Sequence, residues 1–169
     1  MTPTQSTARV FKTPNGLSLV ELLVTISILM IVISSIFLLI HPDEQQAKSR
    51  DNKRMTDITT LDRAVSEYVM DHGAYPDAVN TLRTSTTLPQ GQTGPLQNVS
   101  SGWIVADFSK YLSALPTDPI NNVTYFYSYS HTNSGYELNA TVEFYTTDAQ
   151  NDGGNSATMY EIGNDLTIL

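Results

Sequence analysis

Two stretches of this chain place polar side chains where chemistry could follow. Glu21 is the one charged residue in the run 17–40, LSLVELLVTISILMIVISSIFLLI. A carboxylate costs several kcal/mol in hydrocarbon, so it needs either a cationic partner or a path that lets it snorkel to a polar edge. The second stretch is 148–155, DAQNDGGN, where Asp148, Asn151, Asp152 and Asn155 offer hard oxygen ligands around two flexible glycines. Such a set could hold Ca²⁺, which takes about six to eight oxygens at ~2.3–2.6 Å. The spacing is not that of an EF-hand, and an ordinary polar loop uses the same residue types.

Other chemistry has little to build on. His41, His72 and His131 are scattered, and no G-x-S-x-G, H-E-x-x-H or P-loop spacing occurs, so an enzyme is not expected. The absence of cysteine removes disulfides, thiolate metal sites and thiol nucleophiles. Asn98, Asn122 and Asn139 begin N-x-S/T triplets, which arise often by chance. Net charge is −8, and Arg9 and Lys12 precede Gly16 whereas every acid follows it. So acidic a body repels phosphate backbones and does not support nucleic-acid binding.

The elements that position these residues are legible in outline. As a helix, the run 17–40 extends roughly 36 Å, enough for a bilayer core. A chain of 169 residues has too little protein to wrap such a rod on all sides. Bases before the run and His41, Pro42, Asp43 and Glu44 after it put the N-terminus in the cytoplasm and the body outside. No A-x-A site follows the run, so it stays attached.

Beyond Pro42, Ile58, Leu61, Val65 and Tyr68 recur at helical spacing, and Gly73 with Pro76 supplies a stop. This predicts a helix over 43–72, continuing the first with a bend at Pro42. Lys48, Arg50, Lys53 and Arg54 alternate with Asp43, Glu44, Asp51 and Asp57. They read as a solvated helix face with internal ion pairs, as charge pairing between subunits, or as a membrane-surface contact. The stretch 78–102 lacks periodicity and reads as surface loop. Phe108, Tyr111, Leu112 and Leu115 in 103–115 read as core on a short helix or irregular segment. Tyr125, Tyr127 and Tyr129, then Tyr136, Leu138, Ala140 and Val142, alternate as two strands around a turn at 131–135, with a last strand around 159–162.

Lys12, Gly16, Leu17, Ser18, Leu19, Val20 and Glu21, followed by the apolar run, resemble the leader junction of type IV prepilins. The ending D-x-G-x-Y-P at 71–76 and the L-P-x-D-P turn at 115–119 resemble the major pseudopilins of type II secretion and related short bacterial type IV pilins. The chain departs from the pattern in carrying Leu17 where phenylalanine is commonest and in lacking a proline in mid-run.

The resemblance implies cleavage after Gly16 by a prepilin peptidase and N-methylation of Leu17. The new ammonium would be neutralised by Glu21 of this or a neighbouring subunit. It also implies calcium in the loop between late strands. On physical grounds Gly73 can take a left-handed helix cap and Tyr75 can fold back on the helix end.

The expected fold is therefore α+β and pilin-like, a long N-terminal helix packed on a small antiparallel sheet. The expected organisation is a leader at 1–16, a transmembrane and polymerisation helix at 17–40, the outer helix at 41–72 and a head at 73–169. The expected function is a homo-oligomeric helical filament subunit of a type IV pilus or secretion pseudopilus. It would be held in the inner membrane before assembly and would be periplasmic or extracellular afterwards, with prepilin peptidase, an assembly ATPase and an inner-membrane platform as partners. The alternative is a monomeric single-pass anchored binding or adhesive domain.

Overall fold

The computed structural model describes residues 16–39 and 41–169. Arg9, Lys12 and the rest of the leader before Gly16, together with Ile40, lie outside the described residues. The chain divides into two units between His41 and Pro42.

The first unit is α1 (Leu19–Leu39). Its hydroxyls are consumed locally. Thr25 bonds the carbonyl of Leu22, and Ser27, Ser34 and Ser35 bond carbonyls four residues back, all at 2.8 Å. The helix thus presents almost pure hydrocarbon, with a mean hydropathy of 2.5 over Leu19–Ile36. The described side chains over 16–36 are all exposed, Leu19 at 78% and Ile31 at 67%. A soluble core helix would bury one face, and among its described side chains this one buries none.

The second unit begins with α2 (Pro42–His72). Proline suits a first helical position, where its missing N–H is no loss, and Asp43 and Glu44 favour the positive end of the helix dipole. Gly73 ends it at φ +70°, its N–H donating to the Val69 carbonyl at 2.8 Å, which is the left-handed cap expected of it. Ile58, Leu61, Ala64 and Val65 on α2 are buried against a sheet of order β1-β2-β3-β4, antiparallel throughout. The strands are β1 (Arg83–Thr84), β2 (Tyr127–His131), β3 (Tyr136–Thr141) and β4 (Met159–Gly163), with α3 (Thr146–Ala149) between the last two.

Tyr127, Tyr129, Leu138 and Ala140 face α2, and tyrosine supplies both apolar area and a polar tip. The Tyr127 hydroxyl donates to Asp57 at 2.9 Å, and that of Tyr136 to Asp62 at 2.5 Å. Trp103, Ile104, Phe108 and Leu115 fill the remaining core from an irregular segment, not a helix.

Three expectations need correction. The stretch 78–102 contains β1, whose two residues pair with Ser128 and Tyr129 and are too few to show a period. Tyr75 packs on the β2–β3 turn instead of the helix end, its ring centroid 5.5 Å from those of His131 and Tyr136 and its hydroxyl donating to the Ser134 carbonyl. The basic face of α2 is only partly solvated.

Arg54 is fully buried. Its Nε and Nη2 donate to both oxygens of Asp118, at 2.6 and 3.1 Å, and its Nη1 donates to Asp51 at 2.7 Å and Glu143 at 2.6 Å. Arg50 holds Glu143 by a second two-pronged contact, and the Tyr125 ring lies 4.8 Å from the Arg54 guanidinium carbon. Asp51 also accepts the backbone N–H groups of Glu143, Phe144 and Tyr145, and Asp118 those of Ile120 and Asn121. One guanidinium therefore ties α2 to the turn before β2 and to the segment after β3. Lys53 instead makes a half-exposed pair with Asp57, and Lys48 lies over the Phe144 ring.

Removing one partner from a buried charge network leaves the others uncompensated. Arg54→Ala is expected to cost ~3–5 kcal/mol and Lys53→Ala under ~1 kcal/mol, read from urea unfolding followed by fluorescence of the single tryptophan, Trp103. The Arg50 hydrogen bond, opposed by burial and reinforced by Arg54, holds the Glu143 carboxyl at about 2, below its ordinary 4.5. Its contribution is complete above pH 4.5 and lost as pH falls from there through 2. Glu143→Gln is accordingly expected to flatten the acid-side decline of the urea midpoint in that window.

Candidate functional site

Two sets of residues are candidates for functional chemistry. At the first, Gly16, Leu17 and Ser18 form a non-helical lead into α1. A Cβ built on Gly16 meets nothing within 4 Å, and Leu17 is 71% exposed. The helix engages when the Leu22 N–H donates to the Ser18 carbonyl at 3.0 Å. Glu21 lies in the first turn, where the unsatisfied N–H groups favour a carboxylate, and it is the sole ionisable residue of α1.

The second set surrounds a 380 Å³ recess between α3, the loop after it and β4, lined by Asp148, Asn151, Asp152, Glu161 and the neighbouring strand residues. Asp148 sits on α3, its N–H donating to the Tyr145 carbonyl at 3.1 Å, and Asn151 follows with its N–H on the Asp148 carbonyl. The Asn151 amide donates to Thr147 at 2.6 Å. Asp152 accepts the Gly154 N–H at 2.9 Å and the Glu161 N–H at 2.7 Å, which anchors the loop to the free edge of β4. Asn155 lines a different recess, with Leu82, Phe126, Met159 and Leu169.

Glu161 joins the set from within β4, where its position in a strand gave no ligand signal. Its Oε2 accepts the Ser156 N–H at 2.8 Å, whereas its Oε1 and the Oε1 of Glu137 are buried with no donor from another residue, and the two carboxyls lie within hydrogen-bonding reach of each other. Burial, outweighing the Ser156 bond, together with the neighbouring Glu137 and Asp152, pushes the Glu161 carboxyl up to about 7. Gly154 makes this approach possible, since a side chain there would run into the Glu161 carboxylate.

Among the described residues no three His, Asp or Glu side chains form a ready cage. The oxygen donors that line the recess are of the type a hard cation takes, and such an ion fills its shell with amide, carbonyl and water oxygens as well.

Comparison with known proteins then fixes the family. The model for type II secretion system (T2SS), protein G, matches residues 43–164. The chain belongs to this family. The prokaryotic N-terminal methylation motif matches residues 12–37, the stretch containing Gly16, Leu17 and Glu21. The type II secretion system core protein G of Vibrio cholerae is 29% identical over 150 residues, covering 88% of this chain and 90% of that one. No solved structure matches. The family is one of pseudopilins, structural subunits, and the apolar α1 with an α2-and-sheet body is the α+β pilin-like arrangement that such a subunit requires.

The orphaned oxygens carry a testable cost in the metal-free chain. Glu161→Gln brings an N–H donor to the Glu137 Oε1 and removes a buried charge. It is expected to raise stability at pH 8 by ~1 kcal/mol, measured as the urea midpoint in the presence of chelator.

Proposed function

We propose that this protein is the building block of a type II secretion pseudopilus, cut after Gly16 and methylated at Leu17. On this reading 1–16 is the leader and 17–40 the membrane and polymerisation segment, 41–72 is the outer helix and 73–169 the head. A prepilin peptidase acts at the cytoplasmic face, and an assembly ATPase and inner-membrane platform lift the processed subunit into a homo-oligomeric filament outside that membrane.

The observation that carries the reading is α1, a helix whose described side chains over 19–36 are all exposed and whose one ionisable group is Glu21. In the membrane, lipid covers that surface. In a filament, the α1 helices of other subunits cover it, and burial against them replaces burial in lipid. Cleavage leaves an ammonium on Leu17 that neutralises the carboxylate of Glu21 in the same or an adjacent subunit. A subunit at the wrong height would strand both charges in an apolar core, so the pair selects the axial stagger. A type IV pilus subunit shares this architecture, and the protein G match favours the secretion filament.

The proposal includes one Ca²⁺ in the recess beside α3, held by Asp148, Asn151 and Asp152 with Glu161 completing the set. The ion would neutralise the clustered carboxylates and stabilise the folded head by linkage.

The filament reading is tested by expressing the chain with its secretion apparatus and imaging sheared material. Wild type is expected to give filaments, and Glu21→Ala to remain a processed membrane protein with assembly reduced by at least ~10-fold. Filaments of normal yield from Glu21→Ala, or a wild-type chain that stays a membrane monomer, would contradict it. Calorimetric titration of the full chain in detergent is expected to show one calcium per chain, lost in the Asp148→Asn, Asp152→Asn double variant.

A further inference from the structure

Asp51 lies on α2, yet its carboxylate is spent largely on a distant segment. Both its oxygens accept the Glu143 N–H at 3.0 Å, and its Oδ2 accepts those of Phe144 at 2.6 Å and Tyr145 at 3.0 Å. Three consecutive amides converge on one buried anion, which in turn is fixed by Arg54 at 2.7 Å. The next backbone bonds continue into the cation loop. The Tyr145 carbonyl accepts the N–H of Asp148 at 3.1 Å and that of Ala149 at 3.2 Å, and the Asp148 carbonyl accepts the N–H of Asn151 at 3.1 Å. The far end of the loop is pinned separately, by Asp152 on the Glu161 N–H.

The recess therefore has two walls with independent anchors. Asp148 takes its position from Asp51 and hence from α2, whereas Asp152 takes its position from β4. A cation held by both would span them, and its affinity depends on how firmly each wall is set before it arrives.

From this geometry, and resting on the calcium reading above, we infer that Asp51 is a positioning residue for the cation loop and couples its occupancy to α2. The coupling runs both ways. An ordered Asp51 clasp presents Asp148 for binding, and a bound cation holds the 143–145 amides on Asp51. It thereby fixes α2 to the head at the Arg54 cluster. Residues 42–46 of α2 are exposed, and the helix meets the body at Lys48, which lies over the Phe144 ring, and then at the Arg54 cluster, where the contact becomes buried and ionic.

The test uses the full chain in detergent, with calcium chloride as the probe, and compares wild type, Asp51→Asn and Asp118→Asn by titration calorimetry and amide hydrogen exchange. Asp118→Asn breaks a different arm of the same guanidinium, whose backbone bonds go to Ile120 and Asn121, away from the loop. Asp51→Asn is expected to weaken calcium binding about tenfold and Asp118→Asn by less than about twofold, although both lower the urea midpoint. Calcium is also expected to slow exchange at the Phe144 and Tyr145 amides in wild type and not in Asp51→Asn. Equal losses of affinity in the two variants would reduce Asp51 to a general stabiliser and overturn the inference, as would wild-type affinity in Asp51→Asn. A wild-type chain that takes up no calcium would remove the calcium reading itself, and this coupling with it.

Discussion

The Arg54 guanidinium, buried among Asp51, Asp118 and Glu143, is the interaction on which the arrangement of the head depends. Hydrophobic burial along Ile58, Leu61 and Val65 makes α2 adhere to a sheet, but apolar contact is non-directional and tolerates sliding. The ionic cluster does not tolerate it. A guanidinium has a fixed planar fork, and each of its carboxylate partners also accepts hydrogen bonds from a neighbouring arginine or from backbone N–H groups. A shift of one helical turn would strand several buried charges at once. Cost and geometry together fix the register of α2 against the turn before β2 and the segment after β3.

The two units have opposite states of satisfaction. In the head, the tyrosine hydroxyls of β2 and β3 find carboxylates on α2 or backbone carbonyls, and the apolar side chains find a core. In α1 the backbone and the hydroxyls are satisfied internally, while the described apolar side chains have no cover. A helix of that kind is stable only in lipid or against others like it. On the filament reading proposed above, assembly is a property of α1, and the head contributes an acidic folded body.

Much of this was legible in the residues. Uninterrupted apolar character gave α1, Gly73 gave the end of α2, and alternating Tyr127, Tyr129, Leu138 and Ala140 gave the central strands. Short elements were not legible, because two residues of β1 and four of α3 carry no period and form through contacts distant in sequence. The ionic cluster was missed for a related reason, its partners being 64 and 89 residues from Arg54. A signal was nevertheless present. Stepping back from Val65 through Leu61 and Ile58 by the alternating intervals of four and three lands on Arg54 and Asp51, which places both on the buried stripe. The loop after α3 showed its oxygens in Asp148, Asn151 and Asp152, whereas Glu161 looked like any strand residue and Asn155 lines a different recess.

Everything proposed for α1 presupposes that the chain is cut where the helix begins. Intact-mass and N-terminal analysis of the protein recovered from its own cells addresses this directly. A chain beginning at Leu17 and heavier by one methyl group is the predicted result. An uncut chain, still carrying residues 1–16, would contradict the filament reading and leave a membrane-anchored monomer in its place.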